Sequence, residues 1–255
     1  MPPSIPSLRS KPYKTTLLPP PATNNGHALA LPTRTIPHPS TNPSTFNDAM
    51  AVRLEVFVDE QKCPAEFEID EDDARSWHWV IYDPEATAPN SNPGADGEMK
   101  SLNLPVGVVR LVPPPHASHE SFIAAYAPNP DGTDTGARGI SAEGYDFAHE
   151  PYIKLGRVAV LKDYRGAGVA RRVMEEALEW AESNKGDINK GLLDVAKKEG
   201  KGAQEVGEWK GLTLVHAQVD VERFYQGLGF VTDEGLGRWV EEGIEHVGMW
   251  KRLDV

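Results

Sequence analysis

Six consecutive residues, Arg165-Gly166-Ala167-Gly168-Val169-Ala170, have the types and order to hold an anion. They follow the apolar run from Tyr152 to Leu161 and precede a stretch with helical periodicity. The pattern predicts a strand running into a glycine-bearing turn that opens directly into a helix. The first N–H groups of a helix have no internal partners, and the peptide dipoles add partial positive charge there. Gly166 and Gly168 keep side chains away, so a pyrophosphate can approach that backbone. Arg165 adds a cation at the mouth of the turn. The predicted chemistry is capture of a phosphate-bearing cofactor.

Three glycine-turn patterns could supply that chemistry, against the plain alternative of a tight turn with glycine for packing. The P-loop needs G-x-x-x-x-G-K-[ST], and no Lys-Ser or Lys-Thr pair stands at the required place. The dinucleotide fingerprint needs G-x-G-x-x-G, and here position 171 is arginine. The third pattern, R/Q-x-x-G-x-G/A, is matched by Arg165, Gly168 and Ala170.

That third pattern is the coenzyme A signature of the general-control-related N-acetyltransferases, the GNAT superfamily, which the chain resembles. Val52-Arg53-Leu54-Glu55-Val56-Phe57-Val58-Asp59-Glu60-Gln61, followed by Pro64-Ala65-Glu66 and Glu68-Ile69-Asp70, is similar to the opening of one branch of small bacterial members. Val106-Gly107 with Arg110-Leu111 resembles its third strand. Ala217-Gln218, Phe224-Tyr225, Gly229-Phe230 and Gly243-Ile244-Glu245-His246 with Met249 are similar to its closing segments. The resemblance runs from about Thr45 to Arg252, in family order.

The resemblance implies an α/β fold, a single GNAT-type domain whose mixed, mostly antiparallel sheet has splayed central strands and flanking helices. It implies acetyl-CoA as co-substrate, no metal, and direct transfer in a ternary complex. In Val158-Ala159-Val160, the backbone of Val158 and Val160 would bond the pantetheine arm, and an N–H there would stabilise the oxyanion. The pyrophosphate would sit on the amides of Arg165, Gly166, Ala167, Gly168, Val169 and Ala170. Tyr225 would protonate the departing thiolate, a role that suits a phenol of pKa near 10; the alternative is a core aromatic pair with Phe224. Family members often carry Asn shortly before that tyrosine, where this chain has Val221-Glu222-Arg223.

A general base must take a proton from the ammonium substrate. Glu60 is the first candidate, because the Glu-Gln pair ends the first helix; holding the following loop is the competing role. His216 and His246 come next, each with a plain strand or turn role as the alternative. Cys63 reads as buried packing, since direct transfer needs no nucleophile. The run from Glu66 to Asp73 lacks the glycine and spacing of a calcium loop; it reads as a solvated acidic loop, with attraction of a cationic amine as the functional alternative. The expected activity is N-acetylation of a primary amine on a small molecule, an amino sugar such as glucosamine 6-phosphate among the candidates. A non-catalytic acyl-CoA sensor or scaffold is the alternative.

The elements that must position these residues are legible from pattern. Thr45 to Val58 reads as a helix capped by Thr45 or Asn47. Trp77 to Tyr82, Val106 to Val112, Tyr152 to Leu161 and Leu212 to Ala217 read as strands. Val169, Ala170, Val173, Met174, Ala177, Leu178 and Ala181 form one apolar stripe, backed by Arg171–Glu175 and Arg172–Glu176 pairs. Glu222 to Leu228 reads as a short helix ended by Gly229. Two further short strands are expected from Arg238 onward.

Composition bounds the rest. Residues 1–47 contain no Asp or Glu and eleven of the 22 prolines, too little apolar material to offset ordering entropy. A disordered, dispensable tail over 1–44 is expected, with Thr33–Ile36 as a short edge strand, and the domain proper over 45–255. Insertions are expected near 113–150 and 184–210, where Gly, Pro and charge accumulate. The tail's four cations stand against a chain total of −12, so the remainder carries roughly −16. So acidic a body makes a poor nucleic-acid binder. No apolar run reaches the ~20 residues of a membrane span, and one cysteine excludes an intrachain disulfide. A cytoplasmic protein acting on a small-molecule amine is expected, with a homodimer allowed for.

Overall fold

Strand formation follows side-chain type. Trp77–Asp83 is buried throughout, and Leu104–Val112 is buried from Val106 onward, the pattern of strands covered on both faces. The computed structural model describes residues 12–21, 28–86, 103–116, 150–198 and 200–255. They fall into two compact units, Met1–Arg110 with Arg157–Ala177, and Leu111–Gly156 with Leu178–Val255.

The first unit begins with strand β1, Lys14–Leu18, and helix α1, Ser44–Arg53. The helix continues as a π-helical stretch, Leu54–Glu60, closed by Gln61 N–H on Val56 C=O at 3.0 Å. Strands β2, Trp77–Asp83, and β3, Leu104–Val112, follow. Strand β4, Ile153–Val160, leads to helix α2, Val169–Ser183. The core here joins Val52 and Val56 from the first helical segment to Val80, Val108 and Ala159 from the strands. The stripe expected on α2 is the buried one: Val173, Met174 and Ala177 are fully covered.

In the second unit, helix α3 spans Lys185–Lys198 and the short helix α4 spans Ala203–Val206. Strand β5, Leu212–Gln218, precedes helix α5, Glu222–Gln226. Strands β6, Val231–Thr232, β7, Arg238–Glu241, and β8, Ile244–Arg252, complete it. Leu212, Leu214 and Trp250 form its core cluster, against which Tyr152 and Leu236 pack. Among the described residues the sheet has eight strands, in the order β1-β2-β3-β4-β5-β8-β6, with β7 on β8. It is mixed: β5–β8, β6–β8 and β7–β8 are antiparallel, whereas β4 and β5 pair in parallel over Ile153–Leu155 with Thr213–Val215. Those are the first three of the eight β4 residues.

Three expectations need correction. Lys14–Leu18, inside the expected tail, pairs antiparallel with β2 from Lys14 opposite Tyr82 to Leu18 opposite His78. Tyr13 beside it is buried, whereas Thr33–Ile36 is not a strand. The five residues Lys-Thr-Thr-Leu-Leu have the β-branched and apolar character a sheet edge takes, which a composition averaged over 47 residues conceals. The charged stretch 184–210 is largely helical, because Ile188, Leu192 and Ala196 recur every four residues and bury one face. Neither Thr45 nor Asn47 caps α1; the Pro43 carbonyl accepts the Phe46 and Asn47 amides, and the Asn47 side chain bonds Pro39 and Asn42 instead. The other expected insertion, 113–150, falls mostly outside the described residues.

Candidate cofactor site

The turn after β4 is built to be open. Leu161 N–H donates to the Val106 carbonyl at 2.9 Å, tying the strand's exit to β3. Lys162–Tyr164 forms one tight 3₁₀ turn, pinned by Tyr164 Oη donating to Asp83 Oδ2 at 3.0 Å. Gly166 and Gly168 have φ of +74° and +86°, the left-handed region that glycine enters without cost, and a Cβ on either would meet nothing within 4 Å. Open space therefore lies where side chains on these two residues would stand, just before α2. Gly107 seats the helix: a Cβ there would lie 2.8 Å from Ile81 and 2.9 Å from Val169. That close approach sets the first residue of α2 directly on β2 and β3.

Arg165 and Glu60, expected in separate roles, are partners. Nη1 and Nη2 of Arg165 donate to Oε1 and Oε2 of Glu60, both at 2.6 Å, and Nε donates to the Val160 carbonyl at 3.0 Å. The hydrogen bond from Arg165 holds the Glu60 carboxyl below its usual pKa and lifts that of Arg165. A carboxylate held this way is a weaker proton acceptor than a free one. Nor is Arg165 the uncompensated cation its residue type implies.

The loop read as solvated is instead the anion side of a buried network. Glu68 and Asp73 are covered. Arg53, fully buried, donates to Glu68 at 3.2 Å and to Asp73 at 2.7 Å. Arg110 clasps Asp70 with two bonds, 2.6 and 2.9 Å, and lies 3.1 Å from Asp73. Arg157 donates to the Phe67 carbonyl at 2.8 Å and to Asp70 at 3.4 Å. Burial alone would raise the Asp73 carboxyl; Arg53 and Arg110 outweigh it and hold the group far below 3.8. Arg157 also carries a φ of +51° within β4, a conformation rare outside glycine, immediately before Val158. Val158 is half-buried, Ala159 and Val160 are buried. Sequence reasoning missed Arg110 and Arg157 as determinants of this strand; a lone arginine inside each of two apolar strands was the available signal.

Residues 118–232 match the family model described as Acetyltransferase (GNAT) domain. Those 115 of the 255 residues are similar to a GNAT acetyltransferase domain. Among curated proteins, the uncharacterized N-acetyltransferase YjcF of Bacillus subtilis (strain 168) is 54% identical over 44 residues, 17% of this chain and 31% of that protein. The match thus spans under a third of that relative's length. Among solved structures, a putative N-acetyltransferase from Lactobacillus plantarum is similar over 94% of this chain and 98% of its own, at 20% identity and a TM-score of 0.48. Escherichia coli ElaA is similar over 83% and 92%, at 19% identity and a TM-score of 0.45.

The GNAT match includes the glycine turn, α2, β5 and Tyr225; Glu60 and α1 lie before it. In the second unit Tyr225 is buried between two rings, 5.1 Å from Phe224 and 5.9 Å from Phe230, both edge-on. Burial pushes its phenol above the ordinary value, which makes the hydroxyl a weaker acid than that of an exposed tyrosine. His246 Nδ1 bonds the Ile244 carbonyl at 2.8 Å, a turn role, and stacks on Trp239 at 6.2 Å. His216 meets the same indole edge-on at 4.8 Å. Cys63 is buried, as packing predicts.

Proposed function

We propose that the GNAT domain of this chain transfers an acetyl group from acetyl-CoA to the primary amine of a small molecule, with amino sugars among the acceptors. The observation that carries the reading is the open glycine cradle between β4 and the start of α2. It offers helix N–H groups to an anion in a chain whose net charge is −12. The pyrophosphate of the cofactor would rest on the amides of Arg165 to Ala170. The pantetheine arm would follow the backbone of Val158 and Val160, with Ala159 turned into the core. Bound acetyl-CoA supplies an activated thioester.

In the transfer, the neutral amine nitrogen forms a bond to the acetyl carbon, the carbon–sulfur bond breaks, the nitrogen loses one proton to water, and the thiolate takes one. A backbone N–H of β4 would stabilise the oxyanion. Tyr225 is the proton donor in this reading, on the family resemblance and its place in the short helix after β5; burial makes its phenol a weaker acid than a free tyrosine. The test is release of free thiol from acetyl-CoA across a panel of amino sugars, polyamines and amine metabolites. Release with at least one amine class is expected. Tight CoA binding without release from any acceptor would favour an acyl-CoA sensor, and no CoA binding would refute the reading.

A further inference from the structure

The two bonds between Glu60 and Arg165 make each the other's partner, a role that neither was given from the sequence. Glu60 lies at the last position of the π-helical stretch, and Arg165 is the residue just before the left-handed glycine pair. The guanidinium makes three bonds to two points: both carboxylate oxygens of Glu60, and the carbonyl of Val160 at the end of β4. Two glycines in the three residues that follow give the turn wide backbone freedom. A turn that free would spend its conformational entropy on every cofactor it bound, unless something fixed its entrance.

We propose that Glu60 is a positioning residue of the cofactor site: it clamps Arg165 as a brace between the first helix, the end of β4 and the glycine turn. The inference rests on the reading that this turn receives the pyrophosphate of CoA. The brace works by geometry and not by net charge, because the paired groups cancel one another. Arginine is required for it. Lysine keeps the positive charge but cannot bond both carboxylate oxygens and the Val160 carbonyl in one plane. The same pairing makes Glu60 a weaker proton acceptor, since each of its oxygens already accepts a bond from Arg165.

The test is calorimetric titration of CoA into the full chain and into Glu60→Gln, Arg165→Met, Arg165→Lys and the double variant Glu60→Gln/Arg165→Met. Both groups are about 40% exposed at the side chain (41% and 42%), so the fold should survive each change. Each single variant should weaken CoA about fivefold, the effect of losing an exposed pair worth up to ~1 kcal/mol. The double variant should be no weaker than the worse single, because the brace is lost once. Tighter CoA binding by Glu60→Gln would show that Glu60 masks a cation that touches phosphate, and would overturn the brace. Wild-type affinity in Arg165→Lys, or additive losses in the double variant, would overturn it as well. So would unchanged CoA affinity in Glu60→Gln with a lowered turnover number, the mark of a proton acceptor. Gly168→Glu serves as the control: if it binds CoA as the wild type does, the cofactor reading itself fails, separately from the brace.

Discussion

Asp73→Asn removes one charge and almost no volume, and it should be among the most damaging conservative changes in this protein. Asp73 has no solvent exposure and faces Arg53 at 2.7 Å and Arg110 at 3.1 Å. An asparagine can still accept a hydrogen bond, but Arg53, itself fully buried, is left with Glu68 alone as an anionic partner. Breaking a buried pair by neutralising one member costs about 3–5 kcal/mol, because the other charge stays desolvated. For a domain of this size each kcal/mol lowers Tm by about 2–4 °C, so a fall on the order of 10 °C is expected. The pH dependence has a definite sign. The folded pKa of Asp73 lies well below 3.8, so its contribution is present above the unfolded value and is lost as pH falls through and below it. His78 adds to this at milder acidity: burial depresses it to about 4 from 6.5, and its ring bonds the Asp73 carbonyl at 3.1 Å. The unfolded chain binds that proton first, so stability should fall between pH 6.5 and 4 by up to about 3 kcal/mol. Thermal and urea melts of wild type and variant from pH 7 to pH 3 measure both effects. A loss under about 1 kcal/mol in Asp73→Asn at pH 7, with the acid limb unchanged, would mean that the network is hydrated and its charges are screened.

Gly168→Glu places a side chain and a negative charge in the open cradle, where φ is +86°; CoA affinity by calorimetry should fall at least about 100-fold, or ~2.7 kcal/mol, with the fold retained. Tyr225→Phe keeps the ring packing and should lower the turnover number about 10²–10⁴-fold while CoA binding stays within a few-fold; stopped-assay thiol release with an acceptor from the screen decides it. Deleting residues 1–20 removes β1 and the buried Tyr13, so Tm should drop by several degrees, in place of the indifference expected of an unstructured tail.

The segment from Tyr152 to Ala181 was legible because every cue in it is local. Apolar run, glycines and a helical stripe follow one another within a few residues, and each has one structural reading. The ion pairs Arg171–Glu175 and Arg172–Glu176 follow from spacing alone and form at 3.2 and 2.9 Å. What failed was composition averaged over long windows. Prolines on either side hid the β-forming pentapeptide Lys14–Leu18, and Gly186 and Gly191 hid the four-residue stripe of α3.

The acidic loop failed for a different reason. Its partners are Arg53, 15 and 20 residues before Glu68 and Asp73, Arg110, 40 residues after Asp70, and Arg157, 87 residues after it. Residue type announces a charge, but only the fold says which charge it meets, and the two cases differ by kilocalories. An exposed carboxylate attracts cations from solvent; these carboxylates pair with arginines of α1, β3 and β4. The same correction applies to Arg165, whose charge Glu60 cancels. Both corrections lead to one physical picture of the glycine turn. In a chain of net charge −12, with its nearest arginine neutralised, the attraction for the proposed pyrophosphate would come chiefly from oriented backbone N–H groups. Such groups bind an anion only where the backbone is held in place. On the proposed reading, the geometry of Gly166 to Ala170, more than any side-chain charge, would set cofactor affinity.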